Sequence, residues 1–196
     1  RGLPPAVVAV RGVPNWTPTR GRVSTGGMEI LADLGDVSVA RATRDHVATI
    51  ERLLADDPTS PRHVATTTLI SDDLLGAGRA DADLDAVFTV IDADPHQELL
   101  VVLDDGDRAI GTLQLTFVPT MARGGGIRAV VSGARVRAGS DSLGIAKRVF
   151  AWVVEHARSR GARVLIVISD KNRAHIHGFY TTMGFRPSHD GLTLTL

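Results

Sequence analysis

The sequence has no cysteine, and aromatic residues make up only 4% of it. Without cysteine there can be no disulfide framework, thiolate nucleophile, zinc ribbon or iron–sulfur cluster. Long apolar runs are also lacking, because segments such as 6–10 and 164–168 are far shorter than the roughly 20 residues of a membrane-spanning helix. The sequence therefore predicts a protein that neither spans a membrane nor uses thiolate chemistry.

Excess charge of either sign is absent as well, because 22 lysines and arginines balance 22 aspartates and glutamates. Binding of nucleic acid without sequence preference depends on a basic surface, so we expect no nucleic-acid partner. A length of 196 residues suits one ordinary domain with a sizeable core. Because a protein without cysteine tolerates a reducing compartment, we expect a cytoplasmic location.

Residues 1–27 differ in composition from the rest of the chain, with four arginines, four prolines, five glycines and no acid. This composition predicts a flexible N-terminal extension that packs little. We expect the independently folding unit to begin near Met28. Residues 28–196 would then form a single domain.

Changes in hydrophobic period along this domain predict elements in the order β α α β β β α β α β. Three consecutive strands joined by tight turns indicate an antiparallel meander. A mixed α/β sheet with helices on both faces is expected from this order. The strands are predicted at 37–42, 98–103, 109–117, 128–137, 164–168 and 193–196, and the helices at 45–54 (with Thr43 as N-cap), 84–93, 145–160 and 173–183, with a weak helix at 69–75.

A strand, a turn rich in glycine and serine at 139–144, and a helix from Ile145 follow one another directly. The N–H groups of the first helical turn lack intrahelical acceptors, and the helix dipole is positive there. The unit therefore predicts an anion site suited to a phosphate. An ordinary strand–turn–helix connection is the alternative, because neither of the common glycine-rich phosphate motifs is present.

Several short motifs, in their order and spacing, resemble the GCN5-related N-acetyltransferase (GNAT) family over about 37–196. They are Gly111-Thr112-Leu113-Gln114-Leu115, Val136-Arg137, Gly144-Ile145-Ala146, Asp170-Lys171, Phe179-Tyr180 and Gly184-Phe185. The resemblance implies an α/β (α+β) fold with a mixed, mostly antiparallel central sheet and helices on both faces. It also implies a V-shaped splay between the strands at 128–137 and 164–168.

The resemblance further implies direct transfer of an acetyl group from acetyl-CoA, the cosubstrate, to a primary amine of a small molecule or protein. In the family the pantetheine arm pairs with a strand and the pyrophosphate rests on the turn. By the resemblance, the pantetheine arm would contact backbone groups of Ala134, Arg135 and Val136 in this sequence. The pyrophosphate would meet the amides of Ser142, Gly144, Ile145, Ala146 and Lys147.

The turn departs from the family pattern Arg/Gln-x-x-Gly-x-Gly/Ala, because Asp141 stands at its first position. A carboxylate within about 4 Å of a pyrophosphate opposes binding by as much as a few kcal/mol, and by much less if it points into water. Ser142 also stands where close relatives often have glycine. These departures favour an alternative hypothesis, a catalytically impaired GNAT-fold protein that binds CoA or another partner.

Catalysis needs an acid for the departing thiolate and a base for the amine. By the resemblance, the only tyrosine, Tyr180, is the acid; a core aromatic packed with Phe179 and Phe185 is the alternative. Ser132 occupies the position where relatives often carry a glutamate, and it could hold a water. The backbone amide of Ala134 or Val136 would polarise the thioester carbonyl. The other base candidates are Glu98, His96 and His189.

No metal site is expected, because His175 and His177 lie two residues apart on different helix faces without accompanying carboxylates.

Two groups of charged residues each have two interpretations. The arginines at the end of the helix that follows the turn either stabilise the C-terminal end of the helix dipole or contact the 3′-phosphate of CoA. Acids around the second helix either form a solvated face or favour a cationic amine. The arginines are Arg158, Arg160 and Arg163, and the acids are Asp72, Asp73, Asp81, Asp83 and Asp85. The oligomeric state is left open, with a homodimer among the options.

Overall fold

The computed structural model describes residues 22–23, 28–55, 83–137, 139, 141–169, 174–189, 191–192 and 194. The strands are β1 (Arg22–Val23), β2 (Glu29–Asp33), β3 (Val37–Arg41), β4 (Gln97–Asp104), β5 (Ala109–Thr120), β6 (Gly126–Val136) and β7 (Ala162–Val167). The helices are α1 (Val47–Ala55), α2 (Leu84–Ala93), α3 (Ser142–Ser159) and α4 (Ala174–Thr182). Within these ranges no helix has the length and apolar character needed to cross a membrane.

The seven described strands form one sheet in the order β1-β2-β3-β4-β5-β6-β7. Neighbouring strands are antiparallel except for β6 and β7, which are parallel because helix α3 carries the chain back between them. The mixed, mostly antiparallel sheet predicted from the sequence is confirmed. The meander of β4, β5 and β6 and the helices α1 and α2 also lie where the hydrophobic periods predict them.

Hydrophobic side chains fill a layer on each face of the sheet. The larger layer packs α3 and α4 on one face through Leu115, Phe117, Val131, Val149 and Val153, all at most 2% exposed. The smaller layer packs α1 and α2 on the opposite face and includes Val101 and Leu103. The sheet therefore has helices on both faces, as expected for this order of elements.

Two predictions about local structure are wrong. Helix α3 begins at Ser142 rather than Ile145, because the Ile145 N–H already donates to the Asp141 carbonyl at 3.0 Å. The continuous apolar run at 164–168 predicts a strand covered on both faces, but Val164 is 44% and Ile168 is 69% exposed. Only alternate residues of the strand pack in the layer with α3.

The β1–β2 hairpin was not predicted, and β1 lies within the segment expected to be a loose extension. The domain boundary near Met28 stays a prediction. The predicted helix at 69–75, most of the predicted strand at 193–196 and the Asp170-Lys171 motif lie outside the described residues.

Candidate functional site

A cleft opens where β6 and β7 part. The two strands pair from Ile127–Ala162 to Val131–Val167, and the Ile168 N–H donates to the Val131 carbonyl at 3.2 Å. Strand β6 continues to Val136, and over these last residues its described partner is β5 alone. The predicted V-shaped splay is therefore confirmed.

A β-bulge lies in β6 at the mouth of this cleft. Register with β5 shifts between the pairs Gln114–Ser132 and Thr112–Arg135, and Gly133 has φ +58°. That left-handed conformation costs glycine little. A bulge re-aims the backbone that follows it, so the residues after Gly133 are turned relative to those before it.

The backbone beyond the bulge presents polar groups to the cleft. The Arg137 N–H donates to the Ile110 carbonyl at 2.7 Å, so by ladder alternation Arg135 also faces β5. The backbone groups of Ala134 and Val136 then face away from β5. The Arg135 side chain donates to the Ala134 carbonyl at 2.8 Å. Of the three residues expected to meet a pantetheine arm, Ala134 and Val136 thus have their backbone turned to the cleft.

Helix α3 points its N-terminus toward the same end of β6. With the helix starting at Ser142, the N–H groups without intrahelical acceptors are those up to Gly144, whereas Ile145 already bonds within the helix. Ala146 and Lys147 come later in the helix still. A phosphate at this end would therefore meet Gly144, together with Leu143, which sequence reasoning missed. The Ser142 N–H donates to the Gly139 carbonyl at 3.4 Å and would have to turn from it.

Asp141, the departure from the family pattern, lies over this helix end. Its carboxylate packs against Gly144, where an added Cβ would come within 2.2 Å of Asp141 Oδ1. Arg148 lies 3.8 Å from Asp141 Oδ2 and donates to Asp36 at 2.7 Å. The guanidinium of Arg148 therefore offsets part of the negative charge that Asp141 brings to the site.

Ser132 immediately precedes the bulge and is half-buried. Its neighbour Val131 packs in the layer with α3, so Ser132 points to the opposite face, the one covered by α1 and α2. The end of α1 reaches this point, because a Cβ on Gly133 would lie 3.5 Å from Leu54. Ser132 is thus placed beside the cleft, on the face away from α3.

Tyr180 lies on α4, half-buried in an aromatic cluster on the α3 face. Its ring centroid is 5.2 Å from that of Phe150, 5.3 Å from Phe179 and 5.6 Å from Phe185. Phe150 follows Gly144 by six residues, about 9 Å along α3. The core-aromatic role left open by the sequence is therefore real. Tyr180 is only partly buried, and its role as the acid stays a prediction.

Glu98, one of the base candidates, is in a buried ionic cluster. The side chain is 1% exposed, lies 2.7 Å from His156 Nε2, and accepts a short hydrogen bond from Arg160. Arg41 lies 3.5 Å away. Burial raises the pKa of Glu98, but the hydrogen bond and charge of His156 and the charges of Arg160 and Arg41 outweigh it, so the net pKa is lowered. Such a carboxylate stays ionised and is a structural group.

The ionic cluster also fixes the role of Arg160. Its guanidinium stacks 4.7 Å from the Phe117 ring centroid and bonds to Glu98 at the C-terminal end of α3. Burial lowers the pKa of Arg160 and Glu98 raises it, and a guanidinium stays charged at physiological pH in either case. The 18 residues of α3 span about 27 Å, so Arg160 is far from the phosphate-binding end.

The remaining base candidates lie in different places. His96 is half-exposed in the turn before β4, beside Asp94. His189 lines a cavity of about 280 Å³ against β6 and β7, together with Arg128, Val164 and Ile166. Of these histidines, only His189 borders the splayed strands.

The acids of α2 have structural roles. Asp83 caps the helix by accepting from the N–H groups of Asp85 and Ala86, and Asp85 pairs with Arg44 at 2.9 Å. Asp72, Asp73 and Asp81 lie outside the described residues. In the described part of the chain, no group of three or more histidines and acids could hold a metal ion.

The family assignment now rests on sequence as well as geometry. The model of the acetyltransferase (GNAT) family matches residues 50–185. This chain therefore belongs to the GNAT acetyltransferase family. The comparison with curated proteins gives no match.

Solved structures of similar proteins cover nearly the whole described fold. A transcriptional regulator from Bacillus halodurans C-125 is 27% identical, with a TM-score of 0.67, 82% of this chain covered and 99% of the other. Glucosamine-6-phosphate N-acetyltransferase from Arabidopsis thaliana is 14% identical (TM-score 0.57; 82% and 98% covered). A predicted acetyltransferase from Clostridium acetobutylicum, in a structure with acetyl-CoA, is 16% identical (TM-score 0.57; 81% and 95% covered). At under 25% identity the last two show the fold alone.

Proposed function

We propose that this protein transfers an acetyl group from acetyl-CoA to a primary amine. The observation that carries the proposal is the open stretch of β6 beyond Val131, which ends beside the N-terminus of α3. An extended, amide-rich arm can hydrogen-bond to an open strand edge, and a helix N-terminus favours a phosphate. Family membership supports the same chemistry.

The residues around the cleft fit this cosubstrate. Ala134 and Val136 would hold the arm through their backbone groups, and Ser142 and Gly144 would donate N–H groups to the pyrophosphate. The carboxylate of Asp141 opposes the phosphate charge. Because Asp141 is 60% exposed and lies near Arg148, solvent and the guanidinium reduce this opposition.

When bound, acetyl-CoA supplies a thioester whose C–S bond breaks as the amine nitrogen forms the new C–N bond. The chain has to move two protons: one leaves the amine, and one reaches the departing sulfur. We assign the second transfer to the Tyr180 hydroxyl. Ser132 would hold a water that takes the amine proton toward solvent, because a serine hydroxyl by itself is too weak a base at neutral pH.

Calorimetric titration of the full chain with acetyl-CoA and with CoA tests the first step. We expect micromolar binding of both. No detectable binding, even by the Asp141→Arg variant, would overturn the proposal.

The catalytic assignment is tested with Tyr180→Phe, which keeps the aromatic packing. We expect kcat to fall about 100-fold while the Kd of acetyl-CoA is unchanged. The exposed Thr181→Val variant on the same helix is the matched control and should keep its kcat. Full activity of Tyr180→Phe would show that the tyrosine is not the acid, while the proposal that the protein is an acetyltransferase would stand.

A further inference from the structure

The cavity lined by His189 lies on the sheet face opposite α3. Its β6 and β7 residues are Arg128 and the paired residues Val164 and Ile166. The residues adjacent in sequence, Ala129 and Leu165, pack in the layer with α3, so Arg128, Val164 and Ile166 point the other way. Ser132 points to this same face. The cavity and the proposed reaction site therefore share one surface of β6.

The side chains that line the cavity include positive charge and, among the described residues, no counter-ion. Two arginines, Arg128 and Arg163, and His189 line it, and no carboxylate among the described residues does. Neither guanidinium has an ion-pair partner within the described ranges, whereas Arg44, Arg108 and Arg158 are each paired with a carboxylate. The Arg163 side chain lies across Gly126, where an added Cβ would be 3.2 Å from its Cδ.

The remaining wall is mainly apolar apart from Thr120, with Val164 44% exposed and Ile166 partly buried. An exposed valine beside unpaired guanidinium groups suits a ligand with a hydrocarbon segment and an anionic end. Along an extended strand, Arg128 is four residues from Ser132, about 13 Å by backbone rise. An anion bound by a guanidinium that leans back toward the cleft would therefore lie about 6 to 13 Å from it.

We propose that this cavity selects acceptor amines whose far end carries an anionic group, a carboxylate or a phosphate, held by Arg128 and Arg163. The assignment names the acceptor class of the transferase and so rests on the proposed function. It differs from the sequence-based alternative of a cationic acceptor, and the described members of the acidic group, Asp83 and Asp85, are engaged in helix capping and ion pairing.

Binding tests the cavity without requiring transfer. The probes are 6-aminohexanoate, its neutral amide 6-aminohexanamide, and 4-aminobutyl phosphate, titrated calorimetrically into the full chain. Both anionic probes should bind at least about tenfold tighter than the amide, the effect of one charge-assisted hydrogen bond of roughly 1.4 kcal/mol. Comparison of 6-aminohexanoate with 4-aminobutyl phosphate shows whether the cavity prefers a carboxylate or a phosphate.

The variants are Arg128→Gln, Arg163→Gln and the double variant, with the paired surface residue Arg158→Gln as matched control. We expect the anion preference to fall to less than about twofold in the double variant and to stay intact in Arg158→Gln. An equal affinity for 6-aminohexanoate and its amide, or a preference that survives in the double variant, would overturn the assignment.

Kinetics separate this proposal from the proposed function. With acetyl-CoA, the same preference should appear in kcat/KM and should be greatest for chains that span about 6 to 13 Å. If 6-aminohexanoate binds through Arg128 and Arg163 but no acetyl group is transferred to any amine, the cavity assignment holds as an anion site and the transferase proposal fails. If transfer occurs equally to 6-aminohexanoate and 6-aminohexanamide, the transferase holds and the cavity assignment fails.

Discussion

Replacement of Glu98 by glutamine should destabilise the protein far more than replacement of an exposed carboxylate with a single ion-pair partner. The carboxylate is 1% exposed and holds His156 at 2.7 Å, Arg160 by a short bond and Arg41 at 3.5 Å. Removing one partner from a buried ion pair typically costs about 3–5 kcal/mol, because the other charges stay buried without full compensation. We therefore expect Glu98→Gln to lose roughly 3 kcal/mol of the 5–15 kcal/mol typical of a domain.

Glu155→Gln provides the matched control. Glu155 pairs with Arg158, and the two side chains are 70% and 67% exposed. Because water compensates such a pair, its loss should cost at most about 1 kcal/mol. Urea denaturation monitored by circular dichroism gives both values, and equal losses in the two variants within about 0.5 kcal/mol would refute the buried-cluster reasoning.

The pH dependence supplies a second test of Glu98. Its pKa is lower in the folded protein than the ordinary glutamate value, so its contribution is complete above about pH 5 and is lost as the pH falls below about 4. Wild-type protein should therefore lose stability over this range, and Glu98→Gln should lose less. Parallel pH profiles for the two proteins would show that Glu98 is not the group responsible.

Three further substitutions have defined outcomes. Gly111→Ala should cost about 2 kcal/mol or more in urea denaturation, because its Cβ would lie 2.8 Å from the backbone oxygen of Arg135; a neutral effect would contradict the register of β5 and β6. Asp141→Asn should tighten acetyl-CoA binding about three- to tenfold, with a smaller gain at high salt; an unchanged Kd at low salt would mean that the carboxylate does not face the phosphate. Gly133→Ala should cost about 1–2 kcal/mol through its φ of +58° and lower kcat more than the loss of folded protein explains; unchanged stability would contradict the bulge geometry.

Elements with a regular hydrophobic period were predictable, and so was the antiparallel meander of β4, β5 and β6. Helix α2, for example, has bounds that match the prediction, because Asp83 caps one end and Asp94-Pro95 follows the other. The two-residue strand β1 has no period to detect. The splay between β6 and β7 came from the family resemblance, since a strand pattern does not show where pairing stops.

The candidate site was predictable in its backbone parts and less so in its side chains. A glycine-bearing turn before a helix signals an anion site locally, but the position of Arg148 beside Asp141 depends on α3 starting at Ser142. Glu98 carried a signal that was misread: an acid in the apolar strand β4 indicates a buried ion pair as readily as a catalytic base. Arg128 and Arg163 are 35 residues apart in sequence, and only the parallel pairing of β6 with β7 brings them to one cavity.

The open stretch of β6 has a consequence for the protein between catalytic cycles. Unpaired strand edges are templates for association with other chains, and folded proteins commonly shield them. Here the open edge is only about five residues long, so it offers another chain few backbone groups to pair with. If acetyl-CoA pairs with this edge, a cosubstrate at 100 times its Kd would add about 2.7 kcal/mol of stability. The same molecule would then act both as a reactant and as a shield against aggregation.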